Sequence, residues 1–233
     1  MLTGLSAFPI TPTDGRGRID LDAFARLVAR LAAAGVDSVG AMGSTGSYAY
    51  LDRAARAEAL AVARAAAPGV PLLAGVGAVA LADVLRNARD AAEAGADALL
   101  LAPVTYQPLR PEEVLGLYRA VTAEAGLPVV LYNNPSTTHV TFTPDLIAAI
   151  AALPGLVSVK MPPNPDPGPE IAALRARLPA GCTLGYSGDA MAAGALLAGA
   201  EVWYSVLAGL FPEPCLRMVE TALAGAGLLE TAA

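Results

Sequence analysis

The chain carries 14 arginines and a single lysine, Lys160. As solvated surface charges the two types interchange, but only lysine can present a deprotonated amine to an electrophile. Lys160 closes the apolar run Val157-Ser158-Val159. An amine held at the end of such a run is desolvated, which favours its neutral, nucleophilic form. Tyr132 ends a similar run, Val129-Val130-Leu131, where a phenol can pass a proton. A third segment, Gly43-Ser44-Thr45-Gly46, follows Val39-Gly40-Ala41-Met42. Its backbone N–H groups and two hydroxyls form the kind of concavity that holds a small carboxylate. Each has a plainer reading when taken singly: a snorkelling or ion-paired lysine, a packed tyrosine bonded to backbone, an ordinary glycine turn. Together they make one chemistry. An amine, a hydroxyl acid–base and a carboxylate cradle are what Schiff-base activation of a 2-oxo acid needs. The amine condenses with the ketone, and the iminium is an electron sink for carbon–carbon bond formation or cleavage. That chemistry requires neither a metal nor an organic cofactor.

Something periodic must place these segments. Four stretches share a pattern: Ala34-Gly35-Val36-Asp37, Ala94-Gly95-Ala96-Asp97, Ala125-Gly126-Leu127-Pro128 and Ala198-Gly199-Ala200-Glu201. Each is the end of an Ala-rich helical run, a glycine where a helix C-cap belongs, and the start of a short apolar run. Runs apolar at every position suit a parallel sheet covered on both faces. Read this way, the chain predicts strands over 3–8, 36–40, 71–75, 98–101, 128–132, 156–160, 183–187 and 202–206. Helices are predicted over 21–34, 52–67, 80–94, 111–125, 143–152, 168–178, 189–199 and 212–225. Asp20, Pro111-Glu112-Glu113 and Thr143-Pro144-Asp145 mark three of the helix starts. Eight strand–helix units in 233 residues allot about 29 to each, which predicts a (β/α)8 TIM barrel over 1–225 and a tail over 226–233. A doubly wound open sheet is disfavoured, because Gly75-Val76-Gly77 supplies only the first pair of a phosphate-binding Gly-x-Gly-x-x-Gly. In a barrel the site lies at the C-terminal ends of the strands. Ser44, Tyr132 and Lys160 all fall there.

Composition removes other classes. Apolar residues are 55% and charged residues 15%, which is a globular and not a disordered balance. Net charge is −6 with no basic run, so a nucleic-acid binder is not expected. Cys182, Cys215 and the single His139 make a poor metal set, and both thiols read as apolar fillers. Glycine and proline interrupt the longest charge-free apolar-looking stretch, 65–82, so no membrane helix is expected. These features describe a soluble, cytoplasmic protein. Asp189 reads as the cap of the seventh helix, and His139 as a solvated loop residue.

The motifs resemble those of the dihydrodipicolinate synthase/N-acetylneuraminate lyase family of pyruvate-dependent class I aldolases. Thr11-Pro12 with Gly17 and Ile19-Asp20, Gly43-Ser44-Thr45-Gly46, Ala74-Gly75-Val76-Gly77, Leu131-Tyr132-Asn133-x-Pro135, Lys160 and Ser187-Gly188-Asp189 follow its order and spacing up to about residue 225. The resemblance implies Lys160 as the Schiff-base residue and Tyr132 as general acid–base. It implies Gly43, Ser44 and Thr45 as the carboxylate loop, with Ser44 sharing in the proton relay. The implied substrates are a 2-oxo acid and an aldehyde, and the implied assembly is a homo-oligomer, dimer or tetramer. Several positions depart from the family pattern. Ser47 replaces a glutamate, and Thr137 takes the place of an arginine that in the synthase binds the aldehyde's carboxylate. Thr105 aligns with a tyrosine lent across a dimer, leaving Tyr106 one position on. Met161-Pro162 follows the lysine where an acidic residue and alanine are usual, and the family's C-terminal helical domain is expected to be absent. These departures keep two rivals open: a catalytically silent barrel that binds small carboxylates or a partner subunit, and a phosphate-binding isomerase using 185–189 as an anion turn.

Overall fold

In a computed structural model of the chain, residues 2–225 are described. Among them eight parallel strands close into a barrel in sequential order, β1 to β8, with β8 returning to pair with β1. The strands are β1 (Gly4–Ala7), β2 (Ser38–Ala41), β3 (Leu72–Gly75), β4 (Ala98–Leu101), β5 (Val129–Tyr132), β6 (Leu156–Met161), β7 (Thr183–Tyr186) and β8 (Val202–Ser205). The helices are α1 (Leu21–Ala34), α2 (Arg53–Ala66), α3 (Leu81–Glu93), α4 (Pro111–Glu124), α5 (Pro135–Thr138), α6 (Pro144–Ala151), α7 (Gly168–Arg175), α8 (Ala192–Leu197) and α9 (Pro212–Gly225). The predicted TIM barrel is the observed fold. Residues 226–233, expected to form a tail, lie outside the described residues. No helix among the described residues is long and apolar enough to cross a membrane.

The alternation of each strand divides the core in two. Leu5, Ala7, Leu99, Leu101, Leu131 and Trp203 point outward to the helices. Phe8, Leu73, Leu100, Val130, Tyr132 and Tyr204 fill the barrel interior. Helices begin where capping predicts. Asp20 accepts from the Ala23 amide at 2.8 Å, Asp52 from Ala55 at 2.8 Å and Thr143 from Leu146 at 3.2 Å. Gly35, Gly95, Gly126 and Gly199 all have positive φ at helix ends, as the repeat requires. One turn of helix, α5, interrupts the predicted loop after β5. Asp189 does not cap α8; it begins a short 3-10 turn, and its carboxylate accepts from Ser205 Oγ and the Leu207 amide, both at 2.9 Å.

The repeat has a second structural meaning. The acidic residue that precedes β2, β4 and β8 clamps the strand before it. Asp37 N donates to Leu5 O at 3.1 Å, and its carboxylate accepts from Leu5 N at 2.7 Å. Asp97 grips Leu72 in the same way, at 2.9 and 2.8 Å, and Glu201 grips Leu184, at 2.8 and 2.8 Å. The fourth copy has Pro128 at this position and lacks the clamp. Gly4 is fixed by the same contact: with φ +72, a Cβ there would lie 2.2 Å from Asp37 Oδ2. The clamps set strand register at the closed end and so fix which side chains reach the open end. Asp37→Ala is therefore expected to lower stability by about 1 kcal/mol, the value of one lost backbone hydrogen bond, read as a lower urea midpoint. An unchanged midpoint would mean that the clamp contributes nothing to stability.

Candidate active site

Lys160 sits in β6 directly beside Tyr132 of β5, its partner in the parallel register. Both side chains enter the barrel. Lys160 is buried, at 4% exposure, and Tyr132 is buried beside it. The Lys160 amine lies over three rings, 3.8 Å from the centroid of Phe8, 4.4 Å from Tyr132 and 5.3 Å from Tyr204. No carboxylate pairs with it among the described residues. Burial pushes its pKa down to about 7, against a weaker opposing pull from Asp189. The amine is thus substantially neutral near pH 7.

Strand glycines make room for this arrangement. A Cβ on Gly40 would lie 2.3 Å from the Phe8 ring, and one on Gly43 would lie 2.9 Å from it. A Cβ on Gly185 would lie 2.6 Å from Tyr204. Both rings can therefore cross the barrel only because their neighbours lack side chains. Tyr204 is further held by Ser158, at 2.6 Å between hydroxyls, and Ser158 accepts from Thr183 Oγ1 at 2.8 Å. No sequence motif points to Phe8, and the glycine inside β2 is the signal from which it could be inferred; Tyr204, at the end of an apolar run, is readable from the sequence as a wall of the pocket or a core residue.

Tyr132 Oη reaches the loop after β2 and donates to Ser44 Oγ at 3.4 Å. Its own oxygen accepts from Asn134 Nδ2 at 2.9 Å, and Asn134 Oδ1 accepts from Ser136 Oγ at 2.7 Å. Asn134 is another residue that sequence reasoning misses, because it sits in the variable position of the Tyr-Asn-x-Pro segment. The loop itself turns at Met42, whose φ of +57 is uncommon for a side chain of that size. Gly75 permits that turn, since a Cβ there would lie 1.7 Å from Met42 O. The Gly75-Val76-Gly77 pair is thus a close-packing device and not half of a phosphate motif. Within the loop, Ser47 N bonds Ser44 O at 3.0 Å, while the amides of Ser44, Thr45 and Gly46 have no acceptor among the described residues. They and the hydroxyls are available to an anion.

The remaining predicted residues divide. Thr137 lines the same cavity as Ser44. Tyr106 does not join the cluster; it stands 91% exposed in the loop between β4 and α4. His139 is exposed, with a positive φ, at the end of α5. The 185–189 segment is committed to packing. Ser187 N and Oγ both bond Met161 O at 2.9 Å, and Asp189 is held by Ser205 and Leu207, so the segment offers a poor anion turn. Cys182 and Cys215 are buried, and burial raises both thiols, Cys182 to about 11.

Comparison with known proteins agrees with this geometry. The model of the dihydrodipicolinate synthetase family matches residues 1–233. The chain belongs to that family. Among relatives of the family, the 4-hydroxy-tetrahydrodipicolinate synthase of Methylococcus capsulatus is 34% identical over 227 residues, covering 97% of this chain and 77% of that one. The crystal structure of dihydrodipicolinate synthase from Agrobacterium tumefaciens superposes with a TM-score of 0.94 at 47% identity, covering 97% of this chain and 77% of the other. The chloride-inhibited family member from Acinetobacter baumannii, complexed with pyruvate, superposes with a TM-score of 0.88 at 26% identity and the same coverage.

The buried amine has a thermodynamic signature. Its folded pKa is about 7 and its ordinary value is 10.5. Between these limits the unfolded chain holds a proton that the folded chain lacks, so stability rises with pH across this window. Lys160→Met removes the penalty. It is expected to raise the urea midpoint at pH 7, by an increment that shrinks as pH approaches 10. An equal increment at both pH values would place the amine in solvent.

Proposed function

We propose that this protein is a lyase that joins or cleaves a 2-oxo acid and an aldehyde through an imine on Lys160. The observation that carries the reading is the lone lysine: a buried amine whose neutral form is about half populated near pH 7, beside a tyrosine hydroxyl that reaches the Gly43-Ser44-Thr45-Gly46 loop. In the first step the Lys160 nitrogen attacks the ketone carbon of pyruvate or a related 2-oxo acid. Water leaves, and a protonated imine forms. The loss of a methyl proton then gives an enamine. Its carbon attacks the aldehyde carbon, and the aldehyde oxygen takes up a proton. Water finally cleaves the imine and returns the amine. Cleavage runs the same steps in reverse.

Tyr132 is the proton carrier in this reading, with Ser44 as its partner toward solvent and Asn134 orienting its hydroxyl. Gly43, Ser44 and Thr45 meet the carboxylate of the 2-oxo acid with amides and hydroxyls. Phe8 and Tyr204 keep water and counter-charges from the amine. No step draws on a metal or an organic cofactor. The family resemblance supports a cytoplasmic homo-oligomer, dimer or tetramer. The silent-barrel alternative has less support, because a barrel that only binds carboxylates has no need of an amine held free of counter-charge.

The test is incubation with pyruvate, reduction with borohydride and peptide mapping. A reduced adduct on Lys160, absent from Lys160→Arg, is the expected result. A folded protein that gives no adduct with pyruvate or a panel of 2-oxo acids would overturn the reading in favour of a silent barrel. Tyr132→Phe should still give the adduct while kcat falls by about 10²–10⁴, the usual contribution of a positioned acid–base. Full turnover in that variant would remove Tyr132 from the chemistry.

A further inference from the structure

Two residues other than glycine bracket the Gly43-Ser44-Thr45-Gly46 loop with positive φ, Met42 at +57 and Ser47 at +55. Side chains seldom adopt that conformation, and it persists only where the surroundings impose it. A side chain that reaches both flanks of the loop comes from α2. Arg56 is buried in the first turn of that helix, where the dipole disfavours a cation. Its guanidinium bonds backbone carbonyls and no carboxylate among the described residues. It donates to Gly75 O at 2.8 Å and to Gly77 O at 3.1 Å, while Asn87 Nδ2 donates to the carbonyl between them, Val76 O, at 3.3 Å. The same guanidinium lies 5.3 Å from the ring centroid of Tyr48. On one flank, the turn that Arg56 grips carries Gly75, against which Met42 O packs. On the other, Tyr48 directly follows Ser47, and its amide donates to Gly43 O at 3.5 Å.

We propose that Arg56 is a positioning residue for the 2-oxo acid: by joining the turn after β3 to Tyr48, it holds the Ser44, Thr45 and Gly46 amides where they meet the carboxylate. The proposal rests on the Schiff-base reading above. None of the Arg56 hydrogen bonds reaches Lys160 or Tyr132, so its influence passes through the loop and not through the amine. The task needs a planar fork, because two carbonyls, two residues apart, accept from its two terminal nitrogens. Without it both buried carbonyls lose a donor, which is costly, and the turn that confines Met42 is released.

The experiment measures borohydride trapping on Lys160 against concentration for two ketones, pyruvate and acetone, in the wild-type chain, Arg56→Met and Arg56→Lys. Acetone lacks the carboxylate and reaches the same amine without using the loop. In Arg56→Met the half-saturating pyruvate concentration is expected to rise by about tenfold or more, the worth of a hydrogen bond to a charged group. The adduct should still be complete at saturation, and acetone trapping should be unchanged. Arg56→Lys keeps the charge but not the fork. It is expected to show a smaller loss, again for pyruvate alone, and it carries the test if Arg56→Met fails to fold. An equal loss for both ketones would make Arg56 a general support of the barrel, and no loss for pyruvate would detach it from the loop; either result overturns the proposal. Wild-type pyruvate affinity in Arg56→Lys would assign the effect to charge alone and overturn the positioning role. No adduct in the wild-type chain would overturn the Schiff-base reading, and the proposal with it.

Discussion

Lys160 Nζ is buried against the rings of Phe8, Tyr132 and Tyr204 with no carboxylate at hand, and in that setting the ammonium form is penalised. Burial is the largest cause acting on the amine, and it pushes the pKa down against the weaker pull of Asp189. The rest of the barrel mouth follows from this one constraint. Strand glycines let the rings approach. The Ser158–Thr183 hydroxyls hold Tyr204 from below. The register of β5 against β6 sets Tyr132 beside the amine. A carboxylate placed against the amine would satisfy the charge and restore the ordinary, protonated lysine.

The closed end of the barrel serves the open end. Three acidic residues, Asp37, Asp97 and Glu201, each grip the first residues of the preceding strand through both backbone and carboxylate. A one-residue slip in β6 would turn Lys160 outward among the helices, because strand side chains alternate. The clamps hold β1, β3 and β7, and β6 is held through its pairing with the clamped β7, where Val159 faces Leu184 and Lys160 faces Gly185. The loop after β2 is set by a different device: the close approach of Met42 O to Gly75 leaves room only for hydrogen at that α-carbon.

Much of this architecture is legible in the amino-acid sequence alone. The Ala-Gly-x-acid repeat marks helix ends and strand starts, and the strand boundaries fall within two residues of those predicted. Lys160, Tyr132 and Ser44 are readable because composition, run position and glycine spacing are local signals. Phe8 is not readable, since it meets Lys160 only after the barrel closes across 152 residues of chain. Asn134 is hidden for another reason: it occupies the variable position of the Tyr-Asn-x-Pro segment, where the residue type carries no signal of its bond to Tyr132. Tyr106, next to the position that the family lends across a dimer, is exposed within the single chain. Asp189 carries the turn residue of a recognisable motif, yet its carboxylate is spent on Ser205 and Leu207, a pairing that depends on the neighbouring strand.

A single lysine makes the central claim directly measurable. Protein labelled with 13C at the lysine ε-carbon carries one labelled site, and its NMR shift followed against pH reports the protonation of that amine alone. The predicted midpoint lies near 7. A midpoint near the ordinary 10.5 would mean that the amine is solvated or ion-paired, and the Schiff-base reading of the site would lose its physical basis.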